Sequence, residues 1–370
     1  MLAIASLSIN VAPSYARETI KIVGSSTVYP FAKAVSKRFS QITSLDVPEI
    51  EATGSGGGFN LFCAGIGEGY PDINNASRQM KQSEKDLCAK NGVNEVTELL
   101  IGYDGIVLAN SVLVNQYDFS IEDIARGLSK WVINDEGKFV ENPFKQWNEV
   151  NPNLPEAEIK IFGPPPSSGT RDALTELVLI EHAGNHDKLK PLNKLKNTDV
   201  SKIKDAITEL GIATSDWDAV VKKKGNKANG KDLVKYLAVQ IREDGAYIET
   251  GENDTTVVNE LVSTPTALGI LGYGFLQQNK TKIRASKVSS SDASFANIGN
   301  GSYPLARGLY FYVKKAHIDL IPGLHDYVKL FLSRTEVGVR GYLQNIGLIT
   351  MDKSTYQAVK NTANQLNSNI

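Results

Sequence analysis

The chain has 370 residues, 41% of them hydrophobic and 22% charged, and a formal net charge of −1. This is the composition of a globular protein long enough to build two core-bearing units. The near-neutral balance, with no Lys/Arg-rich stripe, argues against nucleic acid or an anionic membrane as the main partner.

In chain order, residues 1–16 carry no charge before Arg17 and Glu18. Residues 2–11 are apolar in character, and Ser14-Tyr15-Ala16 has the small-x-small form of a cleavage site. The stretch 1–16 therefore reads as a secretory signal peptide whose basic start lies upstream, with a disordered or buried N-terminus as the alternative. No other apolar run is long enough to span a membrane. Cys63 and Cys88 are the only cysteines. In an exported protein such a pair reads as one disulfide staple, and as two buried free thiols if the chain is not exported.

Strand-like and helix-like segments then alternate. A strand is expected at 19–23, and a helix at 29–43 with Phe31, Ala32, Val35 and Phe39 on its apolar face. A strand at 47–52, a short helix at 58–66, a weak strand at 72–76 and a helix at 82–91 carrying Cys88 follow. Strands at 96–101 and 105–110 come next, then a helix at 120–128 and the segment 143–150 with Trp147. A strand at 159–162 precedes a helix at 171–181 with the stripe Leu174, Leu177 and Val178. Residues 184–230 are lysine-rich and weakly patterned, and read as a surface helical excursion of the second unit. Helices at 231–242 and 256–263, strands at 268–275 and 309–313, and helices at 325–332 and 335–345 complete the chain. This alternation implies an α/β fold with a largely parallel sheet covered by helices.

Three of the strands break into turns of Ser, Thr and Gly that open helices. The first is Gly24-Ser25-Ser26-Thr27-Val28-Tyr29-Pro30-Phe31. The second is Thr53-Gly54-Ser55-Gly56-Gly57-Gly58-Phe59, and the third is Gly163-Pro164-Pro165-Pro166-Ser167-Ser168-Gly169-Thr170-Arg171. A helix start presents unsatisfied N–H groups and the positive end of the macrodipole. Glycine lets backbone approach a ligand, and hydroxyls add donors. One such turn is an ordinary N-cap. Three of them, one glycine-dense and one with an arginine beside its N–H cluster, point to helix starts converging on a small oxyanion.

Enzyme motifs compete poorly. No Gly-x-Ser-x-Gly window occurs, because Gly54-Ser55-Gly56 puts Ser directly after Gly. Gly225 to Lys231 fits Gly-x-x-x-x-Gly-Lys, but Asp232 stands where a magnesium-binding hydroxyl belongs, so it reads as a solvated lysine-rich loop. His182 and His186 have a metal-compatible i, i+4 spacing, yet Gly184 between them reads as a helix end and no third ligand is apparent. His317 and His325 complete the set of four histidines, and none lies near the Ser/Gly turns. No cofactor is expected.

The three turns, together with Asn75-Ala76-Ser77-Arg78, Tyr103-Asp104-Gly105-Ile106, Ser168-Gly169-Thr170-Arg171-Asp172-Ala173, Ala267-Leu268-Gly269-Ile270 and Tyr303-Pro304-Leu305-Ala306-Arg307-Gly308-Leu309-Tyr310, occur in one order along the chain. That ordered set resembles the periplasmic phosphate-binding protein of the ABC-type phosphate uptake system (PstS type). The resemblance implies a two-lobed periplasmic-binding-protein fold, type II-like, with the ligand in the inter-lobe cleft. Lobe 1 would comprise 17–107 and 308–370, and lobe 2 would comprise 108–307.

Carried over by position, the phosphate ligands would be Ser26, the Thr27 hydroxyl, the Val28 N–H, Ser55, the Ser168 hydroxyl and the N–H groups of Gly169 and Thr170. The chain departs from the best-known pattern where Arg78 replaces a carboxylate and Pro164 replaces an arginine. A branch of the family shares both departures, so Arg78 and Arg171 would supply the positive charge; a structural ion-pairing role is the alternative for each. Monohydrogen phosphate carries a proton that sulfate lacks, so a buried acceptor selects between them. Asp104 is the expected acceptor, with Asp72 and Asp172 as alternatives.

The function implied is capture of inorganic phosphate in the periplasm by a monomeric, non-enzymatic receptor that closes its lobes and delivers the ion to the membrane subunits of an ABC permease. A secreted phosphatase using the same anion site, and a scaffold used in adhesion or signalling, are the competing readings.

Overall fold

A computed structural model describes residues 17, 19–251, 254–366 and 369–370. The expected signal peptide, 1–16, lies outside the described residues. The chain forms two units. One takes the described residues through Gly102, with Gly308–Ile346 and Thr350–Ile370, and the other takes Tyr103–Arg307 with Gly347–Ile349. The elements confirm the α/β class. No helix among the described residues is long and apolar enough to cross a membrane.

The first unit opens with β1 (Lys21–Gly24), α1 (Tyr29–Thr43), β2 (Glu49–Ala52), α2 (Ser55–Phe62), β3 (Ile73–Ala76) and α3 (Gln82–Lys90). Pro30 sits in the first turn of α1, where its missing N–H costs nothing. The expected stripe of Phe31, Ala32, Val35 and Phe39 is buried. α2 begins three residues earlier than its apolar pattern indicates, because Gly54 (φ 73°) breaks the strand and frees Ser55 to start the helix. Cys63 and Cys88 form a disulfide that ties the end of α2 to α3. Both sulfurs pack with Phe59, Phe62, Met80 and Tyr312 in the unit's core.

β4 (Val96–Ser111) leads out of the first unit as one continuous strand. The sequence suggests two strands broken at Gly102-Tyr103-Asp104, but Gly102 at φ 147° keeps the backbone extended through the polar interruption.

The second unit continues with β5 (Asp118–Phe119), α4 (Ile121–Leu128), the hairpin β6 (Trp131–Ile133) and β7 (Phe139–Glu141), α5 (Trp147–Val150) and β8 (Ile161–Gly163). α6 (Gly169–Leu174) runs into a π-helical segment, Thr175–Ile180, and then α7 (Glu181–Asn185). The helix therefore passes through Gly184, contrary to the helix end expected there.

The lysine-rich excursion comprises α8 (Lys190–Asn193), α9 (Val200–Leu210), α10 (Thr214–Lys224) and α11 (Gly230–Ala238). It has a core of its own, including Leu192, Ile203, Ile207, Trp217, Leu233 and Leu237. Gly230 is buried with the Leu192 carbonyl against it, so this glycine packs helices and does not belong to a solvated loop.

β9 (Tyr247–Glu249), α12 (Asp254–Ser263), β10 (Leu268–Gly272), α13 (Tyr273–Gln278), β11 (Ile283–Ala285), β12 (Lys287–Val288) and α14 (Phe295–Gly299) complete the unit. Its main core gathers Phe119, Leu128, Trp147, Ile161, Leu268 and Ile270.

β13 (Ala306–Lys314) returns to the first unit, followed by α15 (Leu324–Phe331) and α16 (Lys353–Gln365). The expected helix at 335–345 is absent apart from a 3-10 turn, Tyr342–Ile346. The backbone carries the reason: Gly341 lies against the Glu336 carbonyl, and Arg340 adopts φ 68°. α16 went unnoticed in the sequence because its face is largely polar, with Tyr356 and Ala363 as its buried residues.

In the first unit β1 lies between β2 and β3, parallel to both, and β13 pairs antiparallel with β3 through Phe311–Asn75 and Tyr312–Asn74. In the second, β10 pairs antiparallel with β4 and parallel with β8, and β9 adds parallel to β8. Helix-opening turns follow the carboxyl ends of β1, β2 and β8, the edge where open α/β sheets bind ligands.

Candidate functional site

The first unit brings two of the three turns together. Gly24 (φ 123°) ends β1 with its Cα against the Asn75 carbonyl, and Ser25 N–H donates to that oxygen at 2.9 Å. A Cβ on Gly58 would stand 2.6 Å from the Gly24 Cα and collide with Asn74 Oδ1. The glycine density of the second turn thus lets the start of α2 rest on the end of β1. Ser26 is exposed, whereas Thr27 and Val28 are buried at the start of α1. Val28 N–H makes a long 3.4 Å bond to Ser25 Oγ.

Ser55 Oγ accepts from Ser77 N–H at 3.1 Å and lies 3.2 Å from Ser77 Oγ, which draws the Asn75–Arg78 segment to the α2 start. Arg78 reaches over that start, 3.6 Å from where a Gly56 Cβ would sit, and over the Phe59 ring. Its two terminal nitrogens donate to Glu84 at 2.9 and 2.7 Å. Burial raises the Glu84 carboxyl, but hydrogen bonds from Arg78 and the Lys81 N–H outweigh it and hold the group below its ordinary range. The structure therefore gives Arg78 an ion-pairing role beside the helix start.

In the second unit Ser168 caps α6, its Oγ accepting from Thr170 N–H at 3.2 Å. Gly169 and Thr170 supply the first turn, whose amides lie outside the intrahelical ladder. Arg171 donates to the Pro164 carbonyl at 3.2 Å, stacks 4.9 Å from the Tyr247 ring centre and lies 3.8 Å from Glu249. Tyr247 Oη also donates to Pro164 O, at 2.7 Å. Arg171 is thus clamped between the ends of β8 and β9, and the position that holds its charge near the turn is set by an aromatic face.

Asp104 lies on β4, in the same unit as the Ser168 turn. Its Oδ2 is 3.5 Å from Arg307 Nε, and Arg307 Nη1 in turn bonds Glu176 Oε2. Burial raises the Asp104 carboxyl above its ordinary range, against the attraction of Arg307 and a hydrogen bond from Gly105 N–H, while Glu176 pushes it further up. Arg307 was not singled out in the sequence as a functional residue. The available signal was a lone arginine between Leu305-Ala306 and Gly308-Leu309, inside a segment already matched to the family.

The alternative acceptor Asp72 is committed elsewhere. It is fully buried in the first unit, where it accepts from Arg17 at 2.6 and 2.8 Å, from Lys21 N–H at 2.8 Å, and pairs with His317 Nδ1 at 2.6 Å. Its oxygens have no capacity left for a ligand. Asp172 occupies the first turn of α6, its N–H donating to Ser168 O at 3.1 Å. The His182 and His186 rings lie 5.6 Å apart, but His186 Nδ1 accepts from Lys188 N–H at 3.2 Å.

A family model described as the PBP superfamily domain matches residues 11–335. Protein SphX of Synechocystis is 26% identical over 360 residues, covering 95% of this chain and 84% of SphX. The phosphate-binding protein PstS of Staphylococcus saprophyticus is 25% identical over 342 residues, covering 91% of this chain and 82% of its own. The crystal structure of a possible phosphate binding protein from Planctomyces limnophilus shares the fold, with a TM-score of 0.68 at 22% identity over 94% of this chain and 98% of that one.

Proposed function

The chain belongs to the PBP superfamily, and from that premise we propose that it is an extracytoplasmic, periplasmic substrate-binding protein that captures inorganic phosphate and delivers it to an ABC permease. The names of the PstS relatives support phosphate as the ligand. The observation that carries the reading is the meeting of the Gly24–Val28 and Gly54–Gly58 turns in the first unit, with Ser55 bonded to Ser77. Two helix starts and their hydroxyls concentrate donors at one place, as an oxyanion requires.

In this reading Ser26, Thr27, Val28, Ser55, Ser168, Gly169 and Thr170 bind phosphate, Arg78 and Arg171 supply positive charge beside the helix starts, and Asp104 accepts the proton of monohydrogen phosphate. The hydrogen bonds from the hydroxyls and amides to the ion are charge-assisted, each worth roughly 1.5–3 kcal/mol. None of the residues is an activated nucleophile, so the proposed role is binding without turnover.

Calorimetric titration of the ligand-stripped protein with phosphate, arsenate, sulfate and phosphonates tests it. Phosphate should bind, and sulfate should bind by roughly ten-thousand-fold less, the discrimination a dedicated hydrogen bond can deliver. Sulfate binding as tightly as phosphate, or steady release of phosphate from an aryl phosphate, would refute the proposal.

A further inference from the structure

Arg307 stands between two carboxylates that come from distant parts of one unit. Asp104 lies on β4, Glu176 in the π-helical segment that continues α6, and Arg307 at the start of β13. The Arg307 side chain is 8% exposed, Asp104 22% and Glu176 53%. A guanidinium is always charged and offers five donors in a fixed fork, so it can serve two carboxylates at once. Serving both divides its attraction.

Resting on the phosphate reading above, we propose that Arg307 and Glu176 are positioning residues that act on Asp104 in opposite directions, Arg307 holding it in its ionised, proton-accepting form and Glu176 weakening that hold, and so together set the pH range over which the site rejects an oxyanion that carries no proton. The chemistry of the ligand follows: a tetrahedral oxyanion bearing at least one proton.

The groups acting on Asp104 are Arg307, the Gly105 N–H and Glu176. Burial alone would neutralise the carboxyl, and a neutral carboxyl donates its proton to any acceptor, sulfate included. Arg307 opposes that neutralisation directly. Glu176 competes for the same guanidinium and adds negative charge, so it acts in the opposite direction. The two neighbours therefore act on Asp104 with opposite signs.

Sulfate is the probe, because it does not titrate between pH 5 and 9 whereas phosphate does. In the wild-type protein, sulfate affinity should be weak at pH 8–9 and strengthen as the pH falls and Asp104 takes up its proton. For Arg307→Gln the midpoint of that profile should move up by about 1–3 pH units, the effect of losing a close cation. Arg307→Lys should return it most of the way. Glu176→Gln, at a half-exposed position where the fold is not at stake, should move the midpoint down.

A common midpoint for all four proteins, or shifts of the same sign for Arg307→Gln and Glu176→Gln, overturns the proposal while leaving phosphate binding intact. A wild-type protein that binds no phosphate at any pH overturns the function itself, and this inference with it.

Discussion

Lys314 offers a direct test of the buried electrostatics in the first unit. Its side chain is completely buried, with Nζ donating to the Gly65 carbonyl at 2.7 Å and lying 4.8 Å from the Phe62 ring centre and 5.5 Å from that of Tyr70. Burial pushes the ammonium down to about 7, against the attraction of Asp72 and with the help of Arg17. In the unfolded chain the group returns to about 10.4. Between these values the unfolded state binds more protons than the folded one, so stability rises with pH. Below pH 7 both states are protonated and the whole penalty is present.

At 1.36 kcal/mol per pH unit, the gain from pH 7 to pH 9 is on the order of 2–3 kcal/mol from this one group. Lys314→Met keeps an apolar stem over Phe62 and Tyr70 and removes the charge. It leaves the Gly65 carbonyl without this donor, which costs about 1–3 kcal/mol, so the net change at a single pH is a poor guide. The slope is decisive. Urea unfolding at pH 7, 8 and 9, followed by circular dichroism because Trp131, Trp147 and Trp217 all lie in the other unit, should give a variant whose stability rises less with pH than that of the wild type. Parallel curves for the two proteins would mean that Lys314 does not titrate in this window and that its burial has been compensated.

Two further outcomes are expected. The Cys63–Cys88 disulfide closes a separation of 25 residues, so removing it with Cys63→Ala and Cys88→Ala together should cost about 3 kcal/mol, and alkylation of the unreduced protein should find no free thiol by mass spectrometry. Ser168→Ala removes the cap that accepts from Thr170 N–H. It should lower stability by about 1 kcal/mol and weaken phosphate binding by roughly tenfold or more, and an unchanged affinity measured by calorimetry would take Ser168 out of the ligand set.

The parts of this fold that were legible in the sequence are those governed by local periodicity and local turn chemistry. The helix Tyr29–Thr43 was readable to the residue, because its apolar stripe and the Pro30 start agree. The strands β1, β2 and β8 are short and each ends in its turn. Glycine misled the reading wherever its role was not to break an element. Gly102 extends β4, Gly184 sits inside α7 and Gly230 opens α11 against Leu192. In each case the sequence shows a residue that permits a break, while packing decides whether the backbone uses it.

The site divides along the same line. The Ser/Gly turns announce themselves, since a helix start and its donors are contiguous in sequence. Charge partners do not. Arg78 stands only six positions before Glu84, yet in the sequence an arginine beside a helix start satisfies a ligand and an ion-pairing description equally; its fork closed on the carboxylate is visible only in the structure.

Asp104, Glu176 and Arg307 have no shared local pattern at all. They meet because the strands β4 and β13 carry the chain out of one unit and back, past the segment that follows α6. A carboxylate read alone can be assigned a role by analogy, but its protonation state belongs to the group of charges around it. For this protein that group is assembled by the fold from three places, which is why Asp104 could be singled out from the sequence as a candidate and the charges around it could not.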